Sequence, residues 1–405
     1  MVAVALAATS LAACGSSRES SASGDCDPGI TDTTIRLGQS SAQTGPIANL
    51  DGLTVAQRRF AAINEDGGAE FGDGARRKVE LVSLDDAYDP ARSVVNVKRL
   101  VEQERVFSLF GNSGTSTILG SIDYLEEHKV PLVLYGSGSV ELQQRYERGE
   151  ITVLAMAMIP STGFEIKTIF DGVVENDPAA KIAVLYPNDG LGKSTVELFR
   201  KYATESSSAQ IVAEEAYELT APSVDSQMTA LRESGANAFV HLGAGTFVSG
   251  ALKKMNELGW RPQKWVISSS TDARSVIAPA GEGAGQDLHG LAWMYGVGPG
   301  QNEDVPAVQK WREWAESEDQ DSTSWAGAIT YTNIDVLLEV LKRMKGCTRQ
   351  DLLDAAKATT DVTGGLALPG ITFGMTENDP SMVSSVVRMT YENGSWVYGA
   401  TVSGR

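Results

Sequence analysis

Between residues 35 and 134 the chain alternates short apolar runs with longer stretches in which apolar positions recur every three or four residues. Residues 35–38, 79–84, 106–110 and 132–134 read as strands, and residues 50–64, 90–104 and 117–128 as helices. In the second of these helices Val94, Val97 and Val101 share one face, and Pro90 suits a first turn. Short apolar strands separated by helices make βαβ units and a parallel sheet. The pattern restarts after Ile159, with strands at 182–186, 211–217, 238–242 and 265–268 and helices at 163–176, 194–204, 226–234 and 247–258. A second sheet of similar size, with no shift in composition, predicts two lobes rather than independent modules. The last third begins no third sheet. It holds helices at 307–318, 330–345 and 350–359, then a hairpin of 386–391 and 396–401 around Asn393-Gly394, a strong two-residue turn signal. Such late helices must pack on the existing lobes, so the chain crosses back between them.

Composition adds a compartment. The 405 residues are 42% hydrophobic and 21% charged, an ordinary globular mixture. The formal net charge of -18 argues against a nucleic-acid partner, which needs a basic surface. Residues 2–13 form an uncharged run of apolar and small residues, too short to span a bilayer, at the place of a signal-peptide core. It ends Leu11-Ala12-Ala13-Cys14, which resembles the lipobox of bacterial lipoproteins. That resemblance implies cleavage before Cys14 and a lipid on its thiol, hence an exported protein held at the outer face of the cell membrane. A signal peptide cleaved without lipidation is the other outcome the run allows. No Lys or Arg precedes the run, a departure that an upstream start would explain. The polar stretch that follows reads as a tether over 15–29. With Cys14 lipidated, Cys26 and Cys347 remain; in an exported protein they suggest one disulfide, with two separate thiols as the alternative. No CxxC spacing suggests zinc, and no cofactor or metal is expected.

Motifs now accumulate in order. Thr44-Gly45-Pro46-Ile47-Ala48 follows the first strand, Ala62-Ile63-Asn64 with Gly67-Gly68 closes the first helix, Asp85-Asp86-Ala87-Tyr88-Asp89-Pro90 follows the second strand, and Phe110-Gly111-Asn112-Ser113-Gly114-Thr115-Ser116 the third. Together they resemble the leucine/isoleucine/valine-binding family of ABC-transporter receptors, across nearly the whole mature chain. The resemblance implies an α/β fold of the type I periplasmic-binding kind: two doubly wound parallel-sheet lobes joined by three crossover segments, near 154–159, 292–297 and 368–373. One lobe then comprises 30–155 with 296–370 and the other 156–295 with 371–405, after a signal peptide at 1–14. It also implies a small-molecule solute in the interlobe cleft, hinge closure around it, and ABC permease and ATPase subunits as partners. The cleft location has an independent basis, because loops after parallel strands and helix N-termini converge there.

The loop from Asn112 to Ser116 is the first candidate, where Ser113, Thr115 and Ser116 can cap the helix and also face a ligand carboxylate. The family's matching hydroxyl falls on Thr115. The next loop offers Gly136, Ser137 and Gly138, for which a plain glycine turn is an equal reading. In the second half the family's aromatic position is Leu191, and Gly245 and Thr246 lack the usual neighbouring tyrosine. Branched-chain amino-acid binders place a glutamate where Ser270 stands, and a serine cannot balance a buried ammonium. Asp272 is a nearby carboxylate that substitutes only if the loop bends. An ordinary leucine-like ligand is therefore in question; other amino-acid-like solutes, amides and aromatic acids stay open. Trp325 adjoins the family's apolar wall position; it and Trp293, Tyr295 and Tyr331 are candidate covers for a ligand, with core packing at the hinge an equal reading for all four and the better one for Tyr331.

Three other classes compete. Residues 188–195 imitate a phosphate-binding loop, but Pro187 stands where the pattern needs its first glycine. An exported α/β hydrolase needs Gly-x-Ser-x-Gly, and Gly111-Asn112-Ser113-Gly114-Thr115 lacks the last glycine; only His128, His241 and His289 are available as a base. A sensory receptor of the same fold without transport is the third. The expectation is a binding protein with no catalytic residue.

Overall fold

The computed structural model describes residues 26–45, 47–48, 52–206 and 208–404. The signal peptide, Cys14 and most of the expected tether lie outside the described residues.

The first half runs β1 (Thr34–Ser41), α1 (Leu53–Glu65), β2 (Ala69–Glu70), β3 (Arg76–Asp85), α2 (Pro90–Glu102), β4 (Ser108–Phe110), α3 (Thr115–Glu127), β5 (Leu132–Val133), α4 (Val140–Glu147) and β6 (Leu154–Ala155). Its sheet has the order β2-β3-β1-β4-β5-β6, parallel except for β2 against β3. The second series runs α5 (Thr162–Asn176), β7 (Lys181–Pro187), α6 (Gly190–Glu205), β8 (Gln210–Tyr217), α7 (Asp225–Glu233), β9 (Ala238–His241), α8 (Thr246–Glu257), β10 (Gln263–Val266) and β11 (Leu288–Ala292). Three helices follow, α9 (Pro306–Ser317), α10 (Trp325–Leu341) and α11 (Arg349–Lys357), and then β12 (Ser385–Glu392) and β13 (Ser395–Ser403). The second sheet has the order β13-β12-β11-β10-β9-β7-β8, with β12 and β13 antiparallel at one edge.

Local chemistry explains these elements. Ile182, Ala183, Val184 and Leu185 of β7 are all fully buried, as in a strand covered by helices on both faces. Asp89 accepts hydrogen bonds from the N–H groups of Ala91 and Arg92 and so starts α2, with Pro90 in its first turn. Asn393 (φ 52°) and Gly394 (φ 86°) both take the left-handed conformation that a two-residue hairpin turn between β12 and β13 requires. Helix α10 buries residues around nearly its whole circumference because it lies between α1, β2 and α11. Helix α11 also touches β6, so the late helices cover the first sheet although they follow the second in sequence.

The chain passes between the sheets three times, and the passages are bonded to one another. Ala157 N–H donates to the Pro380 carbonyl (2.7 Å) and Met382 N–H to the Ala157 carbonyl (3.0 Å). Tyr295 N–H donates to Leu366 (2.9 Å) and Leu368 N–H to Trp293 (3.0 Å). The third passage is longer than the sequence suggests: it occupies 366–383 and folds back on itself through the Val362–Phe373 and Phe373–Val383 bridges. Cys26 and Cys347 are joined by a disulfide with Cα atoms 4.9 Å apart. Beside it Asp27 accepts from Arg349 N–H (2.7 Å), fixing the first described residues to the junction of α10 and α11, and the Arg349 guanidinium donates to the carbonyls of Val106 and Phe107.

Candidate functional site

The carboxyl ends of the two sheets face a cleft of about 110 Å³. From the first lobe come Tyr88, the β4–α3 loop (Ser113, Gly114, Thr115) and the loop after β5 (Gly136, Ser137). From the second come Thr162 and Glu165 of α5, Pro187, Asp189 and Leu191 at the β7–α6 turn, Ala244, and residues 267–269 after β10. Met158 and Ile159 of the first passage, with Trp325 and Ile329 of α10, form the apolar floor.

The wall of the first lobe is made of two loops bonded to each other. Ser113 bridges to Gly136, and Gly114 N–H donates to the Gly136 carbonyl (3.0 Å). A Cβ on Gly136 would lie 2.9 Å from that of Ser113, so two loops approach here as only glycine permits. Gly114 caps α3 at φ 106°; a Cβ there would lie 2.5 Å from the Tyr88 ring. Among the described residues no side chain caps the first turn of α3, and Thr115 of that turn borders the cleft. The hydroxyls of Thr115 and Ser137 are 3.0 Å apart, both buried.

The second lobe contributes two carboxylates. Asp189 accepts from Gly192 N–H (2.9 Å) through one oxygen, capping α6, and from the Tyr88 hydroxyl of the other lobe (2.9 Å) through the second. Burial, with Asp189 beside it, holds the Tyr88 phenol well above its usual range, so it remains a donor. A second bond crosses the cleft from Gly190 N–H to the Ser116 hydroxyl (3.2 Å). Glu165 is 6% exposed; it accepts from Ser268 N–H (2.7 Å), and burial raises its carboxyl above the usual range while the Ser268 bonds oppose the shift.

Of the residues singled out from the sequence, Ser113, Thr115, Gly136, Ser137, Leu191 and Trp325 line this cleft. Ser116 does not; its hydroxyl serves the interlobe bond. Gly138 lies behind the wall, its carbonyl accepting from Thr162 N–H (2.8 Å). Gly245 and Thr246 stand at the start of α8, and their neighbour Ala244 reaches the cleft instead. Ser270 is fully buried and donates to the Gly243 carbonyl (2.8 Å), away from the cleft. Asp272 caps the turn at Ala273–Ile277 by accepting from Arg274 N–H and the Ser275 hydroxyl. Tyr331 packs against Trp311 and Trp314 under Arg59, in the core. Trp325 meets Trp293 edge to face, and behind it lies a second space of about 20 Å³, the size of one water. Among the described residues the buried Trp293 Nε1 and Gln301 Nε2 have no hydrogen-bond partner, and both residues line that space.

Glu165 was not singled out from the sequence, and Tyr88 and Asp189 entered only as members of the 85–90 and 188–195 segments, with no role of their own. Glu165 carried a signal: it shares a helix face with Thr168, Ile169 and Gly172, all buried, and a lone carboxylate on such a face is unusual. Tyr88 and Asp189 are 101 residues apart, and nothing local joins them.

The competing chemistries do not assemble among the described residues. In the imitation phosphate loop Asp189 occupies the helix N-terminus, where it would repel a phosphate, and Lys193 is exposed. His241 is fully buried against Gly243, His289 stacks on Trp265 and bonds Thr390, and His128 stacks on Tyr124; none lines the cleft. No group of three or more metal-binding side chains forms, and no helix is long and apolar enough to cross a membrane, among the described residues.

Two α/β lobes joined by three bonded passages, with a cleft at their strand ends, have the architecture of a two-lobed binding protein. The chain belongs to the periplasmic binding protein family, whose model matches residues 34–395. A Brucella abortus protein described as Leu/Ile/Val-binding protein homolog 7 is 22% identical over 391 residues, 90% of each chain. Among solved structures, a branched-chain amino acid ABC transporter protein from Thermus thermophilus with bound valine superposes with a TM-score of 0.78 at 17% identity, covering 92% of this chain and 97% of that one. A possible leucine/isoleucine/valine-binding protein from Rhodopirellula baltica gives 0.75 at 20% identity, over 91% and 97%. These likenesses carry the fold.

Proposed function

We propose that this chain is the extracytoplasmic receptor of an ABC importer, closing its lobes over a small polar solute of amino-acid or amino-acid-like type and presenting it to permease and ATPase subunits. The observation that carries the reading is the cleft itself. One wall offers hydroxyls and the first turn of α3, the other offers carboxylates, and Tyr88–Asp189 and Ser116–Gly190 bonds form only when the walls meet. The valine held by the Thermus thermophilus protein and the name of the Brucella abortus relative support a ligand of this size and polarity. In this reading the lobes divide at the three passages, 30–155 with 296–370 and 156–295 with 371–405, and a lipid on Cys14 holds the receptor at the membrane. Ligand bound to the closed form stabilises it by mass action. A thermal-shift screen over amino acids, amides, aromatic acids and sugars tests the proposal: a saturable rise in Tm with one chemical class supports it, and no rise with any of them speaks against it.

A further inference from the structure

We infer that Glu165 is the charge-selecting residue of the cleft, and that the solute it selects carries a protonated amine. The inference rests on the receptor reading and narrows its ligand class. Among the described cleft residues there is no Lys, Arg or His, so no side chain balances the Glu165 and Asp189 carboxylates. Asp189 is committed: Tyr88 and Gly192 occupy its two oxygens. Among the described residues Glu165 accepts a hydrogen bond from Ser268 N–H alone. Among the described residues no ion pair reaches it; Lys167, two residues on, is exposed and pairs with Asp171. A buried carboxylate without a cation is costly, and a ligand ammonium placed against it removes that cost while an anionic ligand adds to it.

Position supports the same assignment. Glu165 sits in the first turn of α5, beside Thr162 and facing the apolar floor of Met158 and Ile159. The opposite wall holds the first turn of α3 with Thr115 and Ser137, which suits a carboxylate or carbonyl oxygen. The two walls thus divide a solute into an amine end and an acceptor end. Ser270, fully buried and bonded to Gly243, takes no part. Aromatic acids without an amine are thereby excluded.

The test is a subtraction series on the full-length protein. L-valine, L-leucine and L-phenylalanine are compared by calorimetry with their deaminated acids (3-methylbutanoate, 4-methylpentanoate, 3-phenylpropanoate) and their decarboxylated amines. Binding by amine-bearing members, at least tenfold weaker binding by every deaminated acid, and a loss of about 30-fold or more in amine affinity in Glu165→Gln are the expected results; Glu165→Asp keeps the preference for amines. Glu165→Gln keeps the side-chain volume, and its circular dichroism and melting without ligand report whether it folds. Deaminated acids that bind as well as their parents, or amine affinity unchanged in a folded Glu165→Gln, overturn the inference and leave the receptor reading standing. Absence of binding by the whole series overturns it as well, and the same absence across sugars and amides removes the receptor reading too. If Glu165→Gln does not fold, the wild-type amine-to-acid ratio decides the ligand class, and a change in amine affinity in Glu165→Asp, or its absence, decides the residue.

Discussion

Tyr88→Phe removes one hydroxyl, the one that joins the lobes through Asp189 at 2.9 Å. The ring remains to pack against Gly114. A hydrogen bond to a charged acceptor contributes about 1.5–3 kcal/mol to the state that makes it. In the open form both Tyr88 and Asp189 return to water, so the loss falls almost wholly on the closed form. At about 1.4 kcal/mol per factor of ten, the closed-to-open ratio drops by roughly 10- to 100-fold, and with the open form predominating in the absence of solute, affinity for a solute bound only by the closed form drops by the same factor. Calorimetric titration of both proteins with any solute that binds reads this directly, and melting without solute separates closure from folding. A Kd within twofold of wild type, with the fold intact, would refute the assignment of this bond to closure.

Other consequences are independent of the ligand. Burial lowers His241 to about 4, so the unfolded chain takes up a proton first as pH falls; stability is full above about 6.5 and declines by about 3 kcal/mol towards pH 4, and His241→Gln should flatten that limb of a denaturant-midpoint profile. The Cys26–Cys347 bridge spans 321 residues of sequence, and replacing both cysteines by serine should lower unfolding free energy by about 2–5 kcal/mol in urea titrations while leaving solute affinity within a few-fold. A Cβ on Gly192 would overlap the Pro187 carbonyl oxygen, so Gly192→Ala should displace the start of α6, cost about 1–3 kcal/mol in thermal unfolding and weaken solute binding through Asp189.

Much of the fold was legible because its signals are local. The continuous apolar run at Ile182, Ala183, Val184 and Leu185 marks a covered strand, Asp89-Pro90 marks a helix start, and Asn393-Gly394 marks a hairpin. Short or polar elements left no such mark. Helix α4 buries only Leu142 and Tyr146, β6 has two residues, and β2 is a two-residue edge. The cleft divided in the same way. Loops that follow strands directly, such as Ser113 to Thr115 and Gly136 to Ser137, were readable from the parallel order of the sheet. Tyr88–Asp189 depends on the approach of two lobes, and Glu165 on which face of α5 turns inward. Ser270 shows the converse: a position next to the right strand still faces away when its hydroxyl finds a carbonyl behind it.

Closure itself is most directly measured between Val95 on the first lobe (66% exposed) and Val397 on the second (51% exposed), each replaced by cysteine and spin-labelled for pulsed dipolar distance measurement. The hinged account predicts that a saturating solute collapses a spread of interlobe distances onto one, and that Tyr88→Phe broadens it again. A distance distribution that stays the same when a solute binds at this cleft would contradict it.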